Sequence, residues 1–267
     1  MNNATIKSWI NRAYYFEPGH VNTFVASSGS TSGSGGTSGG GSGGTGGLGV
    51  TVLYFSVPNS LSYPGTGNTI YDLSGNGNTA TLYNGTSYVD SGNADYLYFD
   101  GTNNYVGINT TVVSNTNNVN ITAWVNSDLV SQSGQIIVYV GSEQNLNGYG
   151  LSINREYVTS GNIYIRYGNS RWYNTGVGLS SNYWNHISLN INSDTTNSLY
   201  VNGVLRYSGP AATIYTPTLH TEIGRSDYTT YAYPRYLNGK VSQVLIYNGT
   251  LSSSEILSHY NSTKINY

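Results

Sequence analysis

The sequence predicts an all-β chain folded as a sandwich of two antiparallel sheets, with one short C-terminal helix. Two observations carry that prediction. From Val50 onward, strand-length apolar runs are cut at short intervals by Gly, Asn, Pro and Asp, and no long helical period intervenes. The stretch Tyr183–Tyr207 also reads as a meander of three strands within about 25 residues. In it Ile187, Leu189 and Ile191 alternate with His186, Ser188, Asn190 and Asn192, the period of a strand with one wet face. Ser193 to Thr196 offers a polar turn, Leu199-Tyr200-Val201 resumes the strand, and Asn202-Gly203 closes it as a type I′ hairpin signal.

The elements follow in order. Residues 1–26 carry Ile6, Trp9, Ile10 and the run Tyr14-Tyr15-Phe16, too short to bury their own apolar surface. They read either as a strand laid on the main domain or as an anchor to sister chains or a partner. Residues 27–49 are almost pure Gly, Ser and Thr, a spacer with an end-to-end distance of roughly 25 Å as a random chain. The tract lacks the Lys of a phosphate-binding loop. Residues 50–267 form the β-sandwich domain. Val50–Val57 is apolar on both faces and reads as a buried strand. Tyr96–Asp100 and Tyr105–Asn109 flank Gly101 as a hairpin. Val119, Ile121, Ala123 and Val125 share one face, with Trp124 on the other. Gln135–Val140, Tyr149–Ile153 and Ile163–Tyr167 precede the meander, and Thr218–Ile223 and Val241–Tyr247 follow it. Ser252 to Glu255 is a capping box that opens a short helix with Ile256, Leu257 and Tyr260 as its apolar stripe.

Composition narrows the partners. Charged residues make up 8% of the chain, against about a quarter in ordinary globular proteins. With 10 basic and 12 acidic residues there is no basic footprint for nucleic acid or an anionic membrane. No run of 18 apolar residues is present, and the N-terminus shows no secretory leader. Cysteine is absent, which removes disulfides and thiolate chemistry. The 27 tyrosines suit half-buried sheets and adhesive surfaces.

A pattern emerges from Asp72-x-Ser74-Gly75-Asn76-Gly77, Tyr98-Phe99-Asp100-Gly101 and Ala123-Trp124-Val125. It continues through Trp184-Asn185-His186-Ile187, Leu199 to Gly203, Ile223-Gly224, Leu237 to Ser242, Ile246-Tyr247-Asn248 and Leu251 to Ile256. In that order the chain resembles laminin-G-like, concanavalin A-like jelly-roll domains over about residues 50–260. The resemblance implies a jelly roll in which Trp124, Trp184 and His186 serve the core. It also implies one structural calcium ion, for which Asp72, Asn76 and Asp100 are the oxygen donors in the matching turns. The alternative is that these residues make Asx-turns. Gln243 stands where related sequences often place Glu, which weakens a cation site.

Carbohydrate binding calls for aromatic faces beside planar polar groups. Arg171-Trp172-Tyr173 and the stretch from Tyr228 to Tyr236 offer both in loop-like sequence, with Trp172, Tyr173, Tyr231, Tyr233 and Arg235 as the candidates. The competing reading has these rings covering a sheet or a subunit contact. No paired acids suit a glycosidase: Asp90, Asp95, Asp128, Glu143, Glu156, Asp194, Glu222 and Asp227 are scattered singly. The four histidines lack metal spacing. The expectation is a non-catalytic structural or adhesive protein of a viral particle or other extracellular surface. Residues 1–26 would join it to other subunits of an assembly, and the sandwich would be displayed for glycan attachment. A carbohydrate-binding module of a bacterial surface or secreted protein is the alternative, and a glycan-cleaving enzyme the third reading.

Overall fold

A computed structural model describes residues 49–267 except 93, 114–117, 129–133, 156–157, 168–170, 193–195, 211–214 and 229–234, and the backbone alone of 155, 158, 159 and 265. The anchor, residues 1–26, and all but the last residue of the spacer, residues 27–49, therefore lie outside the described residues. The described chain forms sixteen strands, one α-helix and a single 3-10 turn at Lys264–Asn266. The strands are β1 (Val50–Ser56), β2 (Thr69–Ile70), β3 (Ala80–Tyr83), β4 (Ser87–Val89), β5 (Tyr96–Asp100), β6 (Tyr105–Ile108), β7 (Asn118–Ser127) and β8 (Gln135–Val140). They continue with β9 (Tyr149–Arg155), β10 (Val158–Tyr167), β11 (Trp172–Gly178), β12 (Asn185–Asn192), β13 (Asn197–Val201), β14 (Val204–Gly209), β15 (Thr221–Ile223) and β16 (Asn238–Asn248). Helix α1 spans Ser253–Thr263.

Two antiparallel sheets result. The first runs β14-β13-β12-β7-β16-β5-β4, with β1 also paired to β16. The second runs β11-β10-β9-β8-β15-β6-β3-β2. Their facing sides share one apolar core, with Phe55, Phe99, Ile121 and Leu189 from the first sheet against Ile108, Val138, Leu151 and Ile165 from the second. The two-sheet sandwich predicted from strand spacing is what forms. Four short or polar strands, β2, β3, β4 and β11, were not visible as apolar runs.

The meander holds, with one correction. Asn202 and Gly203 both have positive φ, 53° and 77°, as a type I′ turn requires. The polar face of β12, however, is not wet. Ser188 and Asn190 are buried, and the Asn120 amide donates to Ser188 Oγ at 2.9 Å and to Asn190 Oδ1 at 2.8 Å. Asn190 in turn exchanges hydrogen bonds with the backbone of Leu251. The segment leading into α1 covers this face, which alternation within one strand cannot reveal.

Helix α1 begins with the capping box: Ser252 Oγ accepts from Glu255 N, and Glu255 Oε2 accepts from Ser252 N. It lays Ile256 against Tyr200 and Leu251 on the outer face of the first sheet. Trp124 is buried, but under this helix rather than between the sheets: its indole donates to Thr263 Oγ1 at 2.9 Å, and its ring stacks on Tyr267. Trp184, expected in the core, is only half-buried and packs edge-on to Tyr96.

Candidate functional site

One register row crosses the whole second sheet. Thr69 pairs with Thr81, then Gly107, Glu222, Tyr139, Gly150, Arg166 and Trp172 follow in turn. Their strand neighbours Val106, Val138, Leu151, Ile165 and Ile223 point into the core. Side chains alternate along a strand, so the row lies on the outer face. Gly150 is required there by close approach. A Cβ on it would stand 2.7 Å from Tyr139 Cδ2 and 2.6 Å from the Val138 carbonyl oxygen.

Above the row sits a buried carboxylate. Glu143, in the loop after β8, is 2% exposed. Its Oε1 accepts from Arg166 Nη1 at 2.8 Å, from Trp172 Nε1 at 2.8 Å and from Arg235 Nη1. Its Oε2 accepts from Ser226 Oγ. Asp227 ties the same loop down: Oδ1 accepts from Glu143 N at 2.7 Å and Gln144 N at 3.1 Å, and Oδ2 accepts from Ser142 Oγ. The Arg166 guanidinium lies 5.7 Å from the Tyr139 ring, and that of Arg235 lies 5.2 Å from the Tyr228 ring. Such desolvated charges persist only when their donors and acceptors are matched, and here they are largely matched.

A second charged centre stands further along the row. Glu222 Oε1 accepts from Arg225 Nε at 2.7 Å and Nη2 at 2.6 Å. The Arg225 guanidinium lies 3.4 Å from the Tyr105 ring centre, and Tyr105 stacks on Tyr83 at 4.5 Å. Burial pushes the Glu222 carboxyl above the usual carboxylate range, opposed by Arg225.

Of the sequence candidates, Trp172 and Arg235 come together at Glu143. Trp172 and Tyr173 are not in a loop but on edge strand β11, and as consecutive strand residues they face opposite ways. Tyr173 stacks on Tyr167 at 4.7 Å and is 39% exposed. It cannot share a platform with Trp172. Arg235 is buried at 7% exposure with its guanidinium on Glu143, so it positions the site rather than presenting a charge. Tyr231 and Tyr233 lie outside the described residues. Sequence reasoning passed over Glu143 and Arg166. The available signal was Arg166 itself, a charge on the strand face opposite Ile163, Ile165 and Tyr167 in a chain with so few charges.

The three proposed cation ligands do not converge. Asp72 Oδ1 accepts from Tyr54 N and Ser74 N, both at 2.9 Å, and Oδ2 accepts from Ser74 Oγ at 2.8 Å and Asn78 N at 3.0 Å. The Asn76 amide donates to the Thr51 carbonyl and to Ser74 Oγ. Asp100 accepts from Thr102 N at 2.7 Å. Across the first sheet, Tyr54 pairs with Leu245 and Asp100 with Asn238. That places the two aspartates roughly 20 Å apart along β16 at the rise of a strand. In this geometry each of the three makes the hydrogen bonds of its own turn. Among the described residues no group of three or more His, Asp or Glu is placed to hold a metal.

Residues 100–257 match the family described as the concanavalin A-like lectin/glucanases superfamily. No curated protein matches the sequence. Among solved structures, domain 4 of AbnA, a GH43 extracellular arabinanase from Geobacillus stearothermophilus in complex with arabinotriose, is similar at 19% identity and TM-score 0.59. That match covers 79% of this chain and 98% of the domain. Trypanosoma rangeli sialidase in complex with sialic acid is similar at 18% identity and TM-score 0.61, over 81% of this chain and 33% of the sialidase. The botulinum neurotoxin type G receptor binding domain is similar at 16% identity and TM-score 0.58, over 79% of this chain and 51% of that chain. At these identities the likeness concerns the fold. Among the described residues, no helix is long and apolar enough to cross a membrane.

Proposed function

The chain belongs to the concanavalin A-like lectin/glucanases superfamily, and on that premise we propose that it is a non-catalytic glycan-binding domain of a viral particle surface. The single observation that supports it most is Trp172. Its ring is half-exposed at the sheet edge, while its indole N–H is anchored to buried Glu143. A flat apolar face held rigidly beside polar side chains is what sugar C–H faces stack on, and prior fixing lowers the entropic cost of binding. Asn174, exposed two residues along the same strand face, supplies an amide.

The acids favour binding over cleavage. A glycosidase needs one carboxyl to give a proton and a second to attack or activate water across the scissile bond. Here Glu143 is held by two guanidinium groups, Asp227 by the 142–144 loop and Glu222 by Arg225. Each is committed to a structural partner.

Residues 1–26 would join the domain to other particle subunits, with residues 27–49 as the spacer between them. The second reading is a carbohydrate-binding module of a bacterial surface or secreted protein. It draws support from AbnA domain 4, whose length this fold covers almost fully. A glycan array probed with the full chain and with Trp172→Ala tests the proposal. Binding by the wild type that the variant loses supports it. Binding by neither leaves structural decoration of a particle as the better account.

A further inference from the structure

His186 on β12 and His259 on α1 share a 2.8 Å hydrogen bond between Nε2 and Nδ1. His186 is fully buried, and its Nδ1 has no hydrogen-bond partner. His259 is half-buried, one turn before Thr263, which holds the Trp124 indole. The pair thus ties the helix to the sheet at the same place as Trp124.

Its surroundings are aromatic and short of counter-charge. On β7 the Trp124 ring lies 5.2 Å from His186, and on α1 the Tyr260 ring lies 5.8 Å from it. Tyr267 stacks on Trp124, and Gln243 of β16, an uncharged amide, pairs with Trp124 in the sheet. In the turn after β13, Asn202 Oδ1 accepts from His186 N. The charged groups near the helix face elsewhere: Glu255 is held in the Ser252 cap, and Lys264 Nζ lies over the outer Tyr260 ring at 5.3 Å. An N–H···N bond between imidazoles needs one ring nitrogen to donate and the other to accept. Two protonated rings would instead set two donors and two positive charges against each other in a low-dielectric site.

We propose that His186 and His259 form an acid-released latch: protonation of both rings frees α1 from the first sheet and uncovers Trp124. Burial and its histidine neighbour hold the closed His186 down at about 3, and burial holds His259 at about 4. Once opened, each ring returns to the ordinary value of about 6.5. Opening therefore takes up close to two protons around pH 5, and the opened fraction rises there by up to about 100-fold per pH unit on acidification. The latch stands whether or not the chain binds a glycan.

Amide hydrogen exchange on the full chain from pH 6.5 to 4.5, corrected for the intrinsic pH dependence of exchange, tests it. The α1 opening constant should climb by up to about 100-fold per unit near pH 5, and exceed that of the β7 and β16 amides throughout. His259→Phe should cut the slope to about tenfold, and His186→Phe with His259→Phe should abolish it. A pH-independent α1, an α1 opening constant equal to that of β7 at every pH, which marks global unfolding, or an unchanged slope in the double variant would overturn the proposal. Should the phenylalanine variants not fold, the wild-type slope decides alone: two protons support the latch, and one or none refutes it.

Discussion

Trp172 donates its indole N–H to Glu143 Oε1 at 2.8 Å, so an edge-strand aromatic is oriented by a buried carboxylate 29 residues earlier. The same oxygen receives Arg166 and Arg235, which joins strand β10 and the segment before β16 to one acceptor. The ring assigned to sugar is thereby held by charges that are themselves buried.

Removing the acceptor should be costly. Glu143→Ala leaves two buried guanidinium groups without their carboxylate and should destabilise the fold by about 3–5 kcal/mol. Denaturant unfolding reads this directly. A loss below about 1 kcal/mol would mean that the guanidinium groups find water or other acceptors.

Gly150→Ala should also destabilise, by about 1–3 kcal/mol, because the added methyl meets the Tyr139 ring and the Val138 carbonyl. Thermal unfolding against Gly176→Ala gives the contrast. Gly176 has open space around its Cβ position, and its cost would come from its positive φ alone.

Asp72→Asn should lower stability by about 1–3 kcal/mol through lost charge-assisted bonds to Tyr54, Ser74 and Asn78. The melting temperature of the wild type should be the same in calcium and in a chelator. A chelator-induced drop that Asp72→Asn abolishes would restore the cation reading.

Acid should weaken the whole domain through His186. Its folded pKa lies below the unfolded value of about 6.5, so its stabilisation is complete above that pH and is lost as pH falls toward about 3. Between pH 6.5 and 5 the loss is about 2 kcal/mol for this buried group. Glu222, raised by burial, acts with the opposite sign and only above the ordinary carboxylate pKa. Urea unfolding at pH 7 and pH 5 measures the balance, and His186→Phe should remove about half of the histidine contribution, the rest belonging to His259.

Much of the scaffold was legible because apolar alternation and turn chemistry are local. Asn202-Gly203 needed no partner to announce its hairpin, and Ser252 with Glu255 announced the helix. Strand β11 was not legible, because Trp172–Gly178 is a polar edge strand whose identity comes from pairing with β10. The polar face of β12 was misread for a related reason: what covers it arrives from Leu251, sixty residues on. The site was half legible. Aromatic and arginine content singled out Trp172 and Arg235, but their meeting point, Glu143, lies 92 residues before Arg235 and looked like an isolated acid. Alternation along β11 also separated Tyr173 from its neighbour, which composition alone cannot show.

Glycan binding on the Trp172 face of β11, without cleavage, can be measured directly. Calorimetric titration of the full chain with the best array ligand, alongside Trp172→Ala and Tyr173→Ala, tests both. Saturable binding should fall about tenfold or more in Trp172→Ala, stay near wild type in Tyr173→Ala, and leave the oligosaccharide length unchanged. Equal binding by Trp172→Ala and wild type, or a shortened oligosaccharide after incubation, would contradict it.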